Sequence, residues 1–314
     1  MIIRSLLFLP ANSVRMVAKA ATLPTDAVIL DLEDAVSLDD KETARILAKD
    51  YVRLIKQRGI HTFVRVNSMS TGLTANDLKA VVVKGLDGVM LPKTETGADV
   101  NKAAKMLGQM EKKARLPAES VKMIPQIESA RGVENASRIV EASSRTVAVA
   151  FGSGDYYRDL GRDVTLLSED ENELLYARSR IVNSGRAAGI QAIDTPFLGS
   201  LVARQAFLRE TRLAVRLGFK GKLCVHPSQV EPINYLFSPS QEEVSRAKRI
   251  ADAFEQAQAR GLAAISFEGK LVDIMTYRQV KDVIAVGQAI EERQERMANV
   301  ESYVPVAEVF ATIC

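Results

Sequence analysis

The strongest constraint on this chain is the recurrence of short, apolar, β-rich runs separated by stretches with amphipathic helical patterning. Eight runs recur: Ser5–Leu9, Ala27–Leu32, Thr62–Val66, Gly88–Leu91, Met123–Ile127, Thr146–Phe151, Ala192–Thr195 and Lys222–Val225. Strands alternating with helices make a parallel sheet wrapped by its own crossovers, and eight of them predict a (β/α)8 TIM barrel. The helical stretches carry starts and stops. Ser37, Asp39 and Asp40 precede a stripe of Ala44, Ile46, Leu47, Tyr51, Leu54 and Ile55 that ends near Gly59. Ser168 with Glu171 has the capping-box spacing, with Gly189 closing that helix, and Ser240 with Glu243 repeats the pattern. No repeat, low-complexity tract or Pro/Ser-rich linker divides the chain. The expected organisation is a barrel over 1–237 and a C-terminal helical extension over 238–314, with long helices near 242–260 and 276–296.

Composition excludes several functions. Forty-two basic against 39 acidic residues leave a formal charge of +3, too balanced for a nucleic-acid or anionic-membrane surface. The two cysteines, Cys224 and Cys314, have neither metal-ligand spacing nor the density of a secreted disulfide scaffold, which points to a reducing cytoplasm. The apolar stretch at 2–10 is broken by Arg4 and is too short to span a bilayer, so it reads as the first strand.

Chemistry in such a barrel sits where strands end. The second run ends in Asp31, Glu33 and Asp34; the third contains Arg65 and ends in Asn67; the fourth ends in Pro92 and Lys93. The fifth delivers Glu128, the sixth Asp155 after Gly152 and Gly154, the seventh Asp194 and the eighth His226. Glu128 and Asp155 follow adjacent strands, so their carboxylates enter one mouth, where an oxygen-only pair suits Mg2+ and no His/Cys cluster offers zinc an alternative. The Gly152-Ser153-Gly154 turn permits close backbone approach and N–H contacts to an oxyanion, but lacks a dinucleotide fingerprint. Arg65, inside the apolar FVRVN, needs an anion: a substrate carboxylate gripped by two parallel bonds, or a salt bridge to Glu33 or Asp34. His226, with no serine or cysteine nucleophile arranged around it, reads as structural, and Lys93 as the ion-pair partner of a barrel carboxylate. Arg15 and Lys19 share one helical face, as phosphate ligands or as solvated charges.

Along almost its whole length the sequence resembles the citrate lyase β-subunit-like family, with malyl-CoA and citramalyl-CoA lyases among its relatives. The resemblance rests on RSLLFLPANSVRMVAKA at 4–20, DAVILDLEDAV at 26–36, FVRVN at 63–67, GVMLPKTE at 88–95 and IPQIESARGV at 124–133. It continues through AVAFGSGDYYRDLG at 148–161, AIDTPF at 192–197, GKLCVHPSQVEPIN at 221–234 and FEGKLVD at 267–273. It implies Mg2+ held by Glu128 and Asp155, a keto-acid carboxylate on Arg65, and Asp273 donated to the site of a neighbouring subunit in a homo-oligomer, trimer or hexamer. The implied reaction cleaves a β-hydroxyacyl-CoA to a keto acid and acetyl-CoA through a thioester enolate. Asp273 would carry the carbon proton, Glu33, Asp34 or a metal-bound water would take the hydroxyl proton, Gly152–Gly154 would add backbone donors, and Arg15 and Lys19 would meet CoA phosphates. The alternatives are a citrate lyase subunit acting on a carrier-protein thioester, a thioesterase or malate-synthase-like enzyme, and a catalytically silent scaffold. No nucleic acid or membrane partner is expected.

Overall fold

A computed structural model describes residues 2–163, 165, 167–168 and 170–301, with side chains through 297. Eight parallel strands close into a barrel in chain order: β1 (Ser5–Pro10), β2 (Ala27–Asp31), β3 (His61–Arg65), β4 (Gly88–Leu91), β5 (Lys122–Ile127), β6 (Ala148–Phe151), β7 (Gln191–Asp194) and β8 (Gly221–Cys224). β8 returns to β1 with Leu6 opposite Leu223. The predicted barrel is therefore the observed one, and its strands lie within two residues of the expected runs.

Alternation along each strand separates two layers. The inward residues Leu6, Ile29, Phe63, Met90, Ile124, Ala150, Ile193 and Leu223 belong to one buried cluster that fills the barrel. The outward residues pack against the surrounding helices, where several buried charges are paired. Arg4 grips Asp26 through Nε and Nη2 at 2.8 Å each, and Arg145 grips Glu111 through two bonds of 2.7 Å. Asp194, expected at the mouth from its place at the end of β7, belongs to this outer layer instead. It is fully buried, accepts from Lys222 Nζ at 2.7 Å and Arg178 Nε at 3.0 Å, and shares Lys222 with Glu210. Inward Ile193 explains why: the next residue must face out.

Two helix starts differ from expectation. Ser168 and Glu171 form no capping box. Glu171 takes a left-handed φ of 51°, a 3-10 turn spans Asn172–Leu174, and the helix Leu175–Ala187 begins without a side-chain cap. The hydroxyl of Ser168 instead donates to Asp170 and Glu173, which draws it away from the backbone. Ser37 lies outside its helix, which runs Lys41–Gln57 after Asp40. Gly59 and Gly189, at φ 70° each, do terminate their helices as read.

The segment Ile3–Tyr235 forms one compact unit and residues 236–301 belong to a second. In the latter, Ser240 and Glu243 make a reciprocal capping box for the helix Gln241–Gln258. A hairpin follows, β9 (Ile265–Phe267) and β10 (Lys270–Val272), turned by Glu268 and Gly269 at φ 50° and 75°. Positive φ at both central positions is the turn that matches strand twist. The helix Ile274–Glu301 packs back, stacking Tyr277 on Phe254 with centroids 5.0 Å apart. Among the described residues no helix is long and apolar enough to cross a membrane.

Candidate active site at the barrel mouth

Continuing each inward column by two residues past the hydrophobic core leads to polar groups. Ile29 is followed by Asp31, Phe63 by Arg65, Ile124 by Gln126 and then Glu128, and Ala150 by Gly152. These residues, with Asp155 and Asp34, line one cavity of about 960 Å³ at the carboxyl ends of the strands. The sequence pair Glu128 and Asp155 is thus brought together on one mouth.

Glu128 is 5% exposed, and burial pushes its carboxyl up to about 7 against the pull of Arg65. One oxygen, Oε2, accepts from the Lys93 N–H at 2.8 Å. That bond requires Lys93 to hold φ at 49°, a left-handed conformation unusual for a lysine. The other oxygen faces β6. A Cβ placed on Gly152 would stand 2.5 Å from Glu128 Oε1, so glycine at 152 is the space in which this carboxylate sits. Asp155 lies in the first turn of the short helix Ser153–Asp159 and pairs with Arg158 one turn on. A desolvated carboxyl with one oxygen open, beside a second carboxylate, is a donor set for a hard cation completed by water and substrate oxygens. Among the described residues no group of three or more His, Cys, Asp and Glu forms a closed metal cage.

Arg65 makes the expected ion pairs with Glu33 and Asp34, but its main partner is a residue that the sequence reading did not assign to it. Its Nε and Nη2 fork onto Asp31 at 2.8 and 2.6 Å, the residue in register with it on β2. Glu33 and Asp34 lie farther from its remaining Nη1, at 3.3 and 3.9 Å. The guanidinium also lies 4.8 Å from the ring centroid of Phe8. With its fork occupied by Asp31, Arg65 offers an incoming anion only Nη1. Glu33 is held by Lys93 Nζ at 2.8 Å, and burial, opposed by Arg65 and Lys93, raises its pKa. Asp34 is the more exposed of the two and lines the cavity.

The glycine turn supplies fewer donors than expected. The Gly152 N–H is spent on the Ile127 carbonyl at 2.9 Å and that of Ser153 on Thr195 Oγ1 at 3.0 Å, leaving Gly154 on the cavity wall. Arg15 and Lys19 are exposed on the helix Val14–Ala20 and do not line this cavity. His226 Nδ1 accepts from the Ser228 N–H at 3.2 Å, the structural role read from the sequence. Asp273, in the C-terminal unit, accepts from the Thr276 N–H at 2.9 Å at the start of the last helix. Residues not anticipated are Asp31 as the partner of Arg65, and Phe8, Gln126, Arg162 and Thr195 in the wall. The two-residue continuation of each inward column would have found Phe8, Gln126 and Thr195.

A closed eight-stranded barrel with its polar residues gathered at the carboxyl end is the architecture of a TIM-barrel carbon–carbon lyase, and a family model described as C–C bond lyase of the TIM-barrel fold matches residues 173–286. The model of HpcH/HpaI aldolase/citrate lyase matches residues 4–227, and the chain belongs to that family. The citrate lyase subunit beta of Leuconostoc mesenteroides is 36% identical over 91% of this chain and 93% of its own length. The mitochondrial citramalyl-CoA lyase of Homo sapiens is 29% identical over 92% of this chain and 87% of its own. Among solved structures, protein CitE from Mycobacterium tuberculosis, in complex with magnesium, acetoacetate and coenzyme A, superposes with a TM-score of 0.71 at 29% identity, covering 91% of this chain and 98% of that one.

Proposed function

We propose that this chain is a Mg2+-dependent lyase that cleaves a β-hydroxyacyl-CoA of the malyl or citramalyl type into a 2-oxo acid and acetyl-CoA. The observation that carries the reading is Glu128: a buried carboxyl held near 7, one oxygen open beside Gly152, facing the cavity that Asp155 also lines. Glu128 and Asp155 would hold the ion, as the magnesium complex of the Mycobacterium tuberculosis relative supports. Mg2+ bound there supplies Lewis-acid polarisation of the substrate oxygens. Arg65, kept charged by Asp31, adds a fixed positive potential at the mouth, with Nη1 turned to the keto-acid carboxylate. Asp34, exposed on the wall and weakly paired, is placed to accept the hydroxyl proton; Glu33, locked to Lys93, is not.

Cleavage leaves negative charge on the thioester fragment, and a carbon must be protonated. Asp273 of a neighbouring copy serves as that acid, so the protein works as a homo-oligomer whose C-terminal unit completes an adjacent mouth. Arg15 and Lys19, exposed near the start of the chain, would meet CoA phosphates. A second reading, a citrate lyase subunit acting on a carrier-protein thioester, is favoured by the higher identity to citrate lyase beta subunits, 36–39% against 28–29% for citramalyl-CoA lyases.

The test is to incubate the protein with malyl-, citramalyl-, citryl- and 3-hydroxy-3-methylglutaryl-CoA, with and without Mg2+, and to identify products by mass spectrometry. Mg2+-dependent release of a 2-oxo acid and acetyl-CoA is expected from the malyl or citramalyl thioester. Cleavage only of a citryl thioester on a carrier protein moves the assignment to the second reading. Hydrolysis without carbon–carbon cleavage contradicts both.

A further inference from the structure

Lys41 is the first residue of the helix Lys41–Gln57, and at 7% exposure it is almost wholly withdrawn from water. Its Nζ donates to the main-chain carbonyls of Leu32 and Glu33, at 2.6 Å each. Among the described residues that ammonium has no other hydrogen bond and no ion pair, so it meets two neutral oxygens and no carboxylate. The position is unfavourable for a cation. Burial lowers the pKa of Lys41, and the attraction of Asp31, Asp77, Glu33 and Asp34 at longer range offsets only part of that. The N-terminus of a helix disfavours positive charge as well. A methionine would fill similar space without either penalty.

What the ammonium provides is a hold on the loop after β2. The Leu32 N–H is bonded to the Arg65 carbonyl at 2.9 Å, and the Asp31 carboxylate accepts from the Glu33 N–H at 2.9 Å and the Ala35 N–H at 3.1 Å. The Glu33 carbonyl also accepts from the Val36 N–H at 3.2 Å. Asp34 sits between two peptides that are both gripped: Lys41 holds the carbonyl of the one before it, and Asp31 the N–H of the one after it. Its own carboxylate makes no hydrogen bond among the described residues, and Lys93 Nζ and Arg65 Nη1 stand 3.5 and 3.9 Å away. The direction of that carboxylate is therefore set by the backbone that carries it.

We propose that Lys41 is a positioning residue for the reaction: by holding the peptide before Asp34, it sets the Asp34 carboxylate over the mouth to take the hydroxyl proton of the substrate. The inference rests on the lyase reading above and on the place of Asp34 in it. As the proton passes to Asp34, the hydroxyl carbon becomes a carbonyl and the carbon–carbon bonding pair passes to the thioester fragment. A misplacement of about 1 Å at such a step costs about a hundredfold in rate. Glu128 and Asp155 make no bond to this loop, so the metal site is not what Lys41 supports.

The experiment compares wild type, K41M, D34N and the double variant K41M/D34N in Mg2+-dependent cleavage of malyl-, citramalyl- and citryl-CoA, with Mg2+ calorimetry and amide hydrogen exchange alongside. K41M should lose about a hundredfold in kcat while KM and Mg2+ affinity stay within about threefold of wild type. Because Lys41 acts through Asp34, the double variant should be within about threefold of D34N, whereas independent losses would multiply. The Glu33 and Ala35 amides should exchange at least about tenfold faster in K41M, with those of β5 and β6 unchanged. K41Q, which keeps one donor and loses the charge, serves if K41M does not fold. Multiplying losses in the double variant, a KM that rises or Mg2+ affinity that falls with kcat, or wild-type exchange over 32–36 overturns the inference and leaves Lys41 a support of the fold. If wild type cleaves none of the three thioesters, the lyase reading fails and the role of Lys41 in the reaction fails with it.

Discussion

Replacing Gly152 by alanine isolates the contact on which the proposed metal site depends. Gly152 has φ −116°, which alanine adopts freely, so backbone strain does not enter. The new Cβ would stand 2.5 Å from Glu128 Oε1, 2.6 Å from Glu128 Cγ and 3.0 Å from Gln126 Nε2. Ordinary contact begins near 3.4 Å, so the carboxylate must withdraw by about 0.9 Å. Its other oxygen is tied to the Lys93 N–H, so the whole group cannot swing aside without breaking that bond. Overpacking of this kind costs about 1–3 kcal/mol of stability, and displacement of a ligand by most of an ångström should weaken cation binding about 10- to 100-fold. The companion substitution G154A is the control, because its Cβ would meet only Leu198 methyls at 3.8 and 3.9 Å. Calorimetric titration with Mg2+ and thermal melts should show both losses in G152A and neither in G154A. Wild-type Mg2+ affinity in a folded G152A protein would refute the placement of Glu128 as a ligand.

Arg65→Lys should keep the charge but lose the two-bond fork on Asp31, which is buried; pyruvate binding should fall at least about tenfold and stability by about 1–3 kcal/mol, and unchanged calorimetry and melts would refute the assignment. Arg145→Met should cost about 3–5 kcal/mol, since Glu111 would be left buried without its partner. Burial alone would raise the Glu111 pKa, but the Arg145 fork and the Val121 N–H outweigh it and hold the carboxyl below its ordinary 4.5. That stability is present above about 4.5 and is lost as pH falls through the depressed value, so the acid limb of a Tm-against-pH curve should flatten in R145M. Mixing Asp273→Asn with Glu128→Ala chains under proven subunit exchange should restore activity if Asp273 completes a neighbouring mouth; if it only caps its helix, mixing changes nothing.

The barrel was legible because its signal is redundant: each strand repeats an apolar run, and closure needs only that eight of them be present. The site was legible where chemistry follows directly from strand ends, as with Glu128 and Asp155, whose strands are neighbours in chain order and in space. Partnerships were less accessible. Arg65 pairs with Asp31 because the β2–β3 register sets them opposite one another, and sequence alone does not fix register to one residue. Asp194 was misplaced because an exposed-looking strand end carries no mark of which face it takes; its inward neighbour Ile193 decides that. The Ser168–Glu171 spacing failed because Glu171 reaches the buried guanidinium of Arg178, a tertiary partner that outcompetes a local cap. The hold of Lys41 on the Leu32 and Glu33 carbonyls is visible only once its surroundings are known.

The claim that Glu128 and Asp155 together hold the cation of a carbon–carbon lyase is tested most directly by titrating Mg2+ into wild type, Glu128→Ala and Asp155→Ala while following cleavage of the thioester that wild type accepts. Wild type should saturate with Mg2+, and each substituted protein, still folded by thermal melt, should need at least about tenfold more Mg2+ and lose at least about a hundredfold in rate. Mg2+ affinity and cleavage at wild-type levels in both substituted proteins would contradict the account.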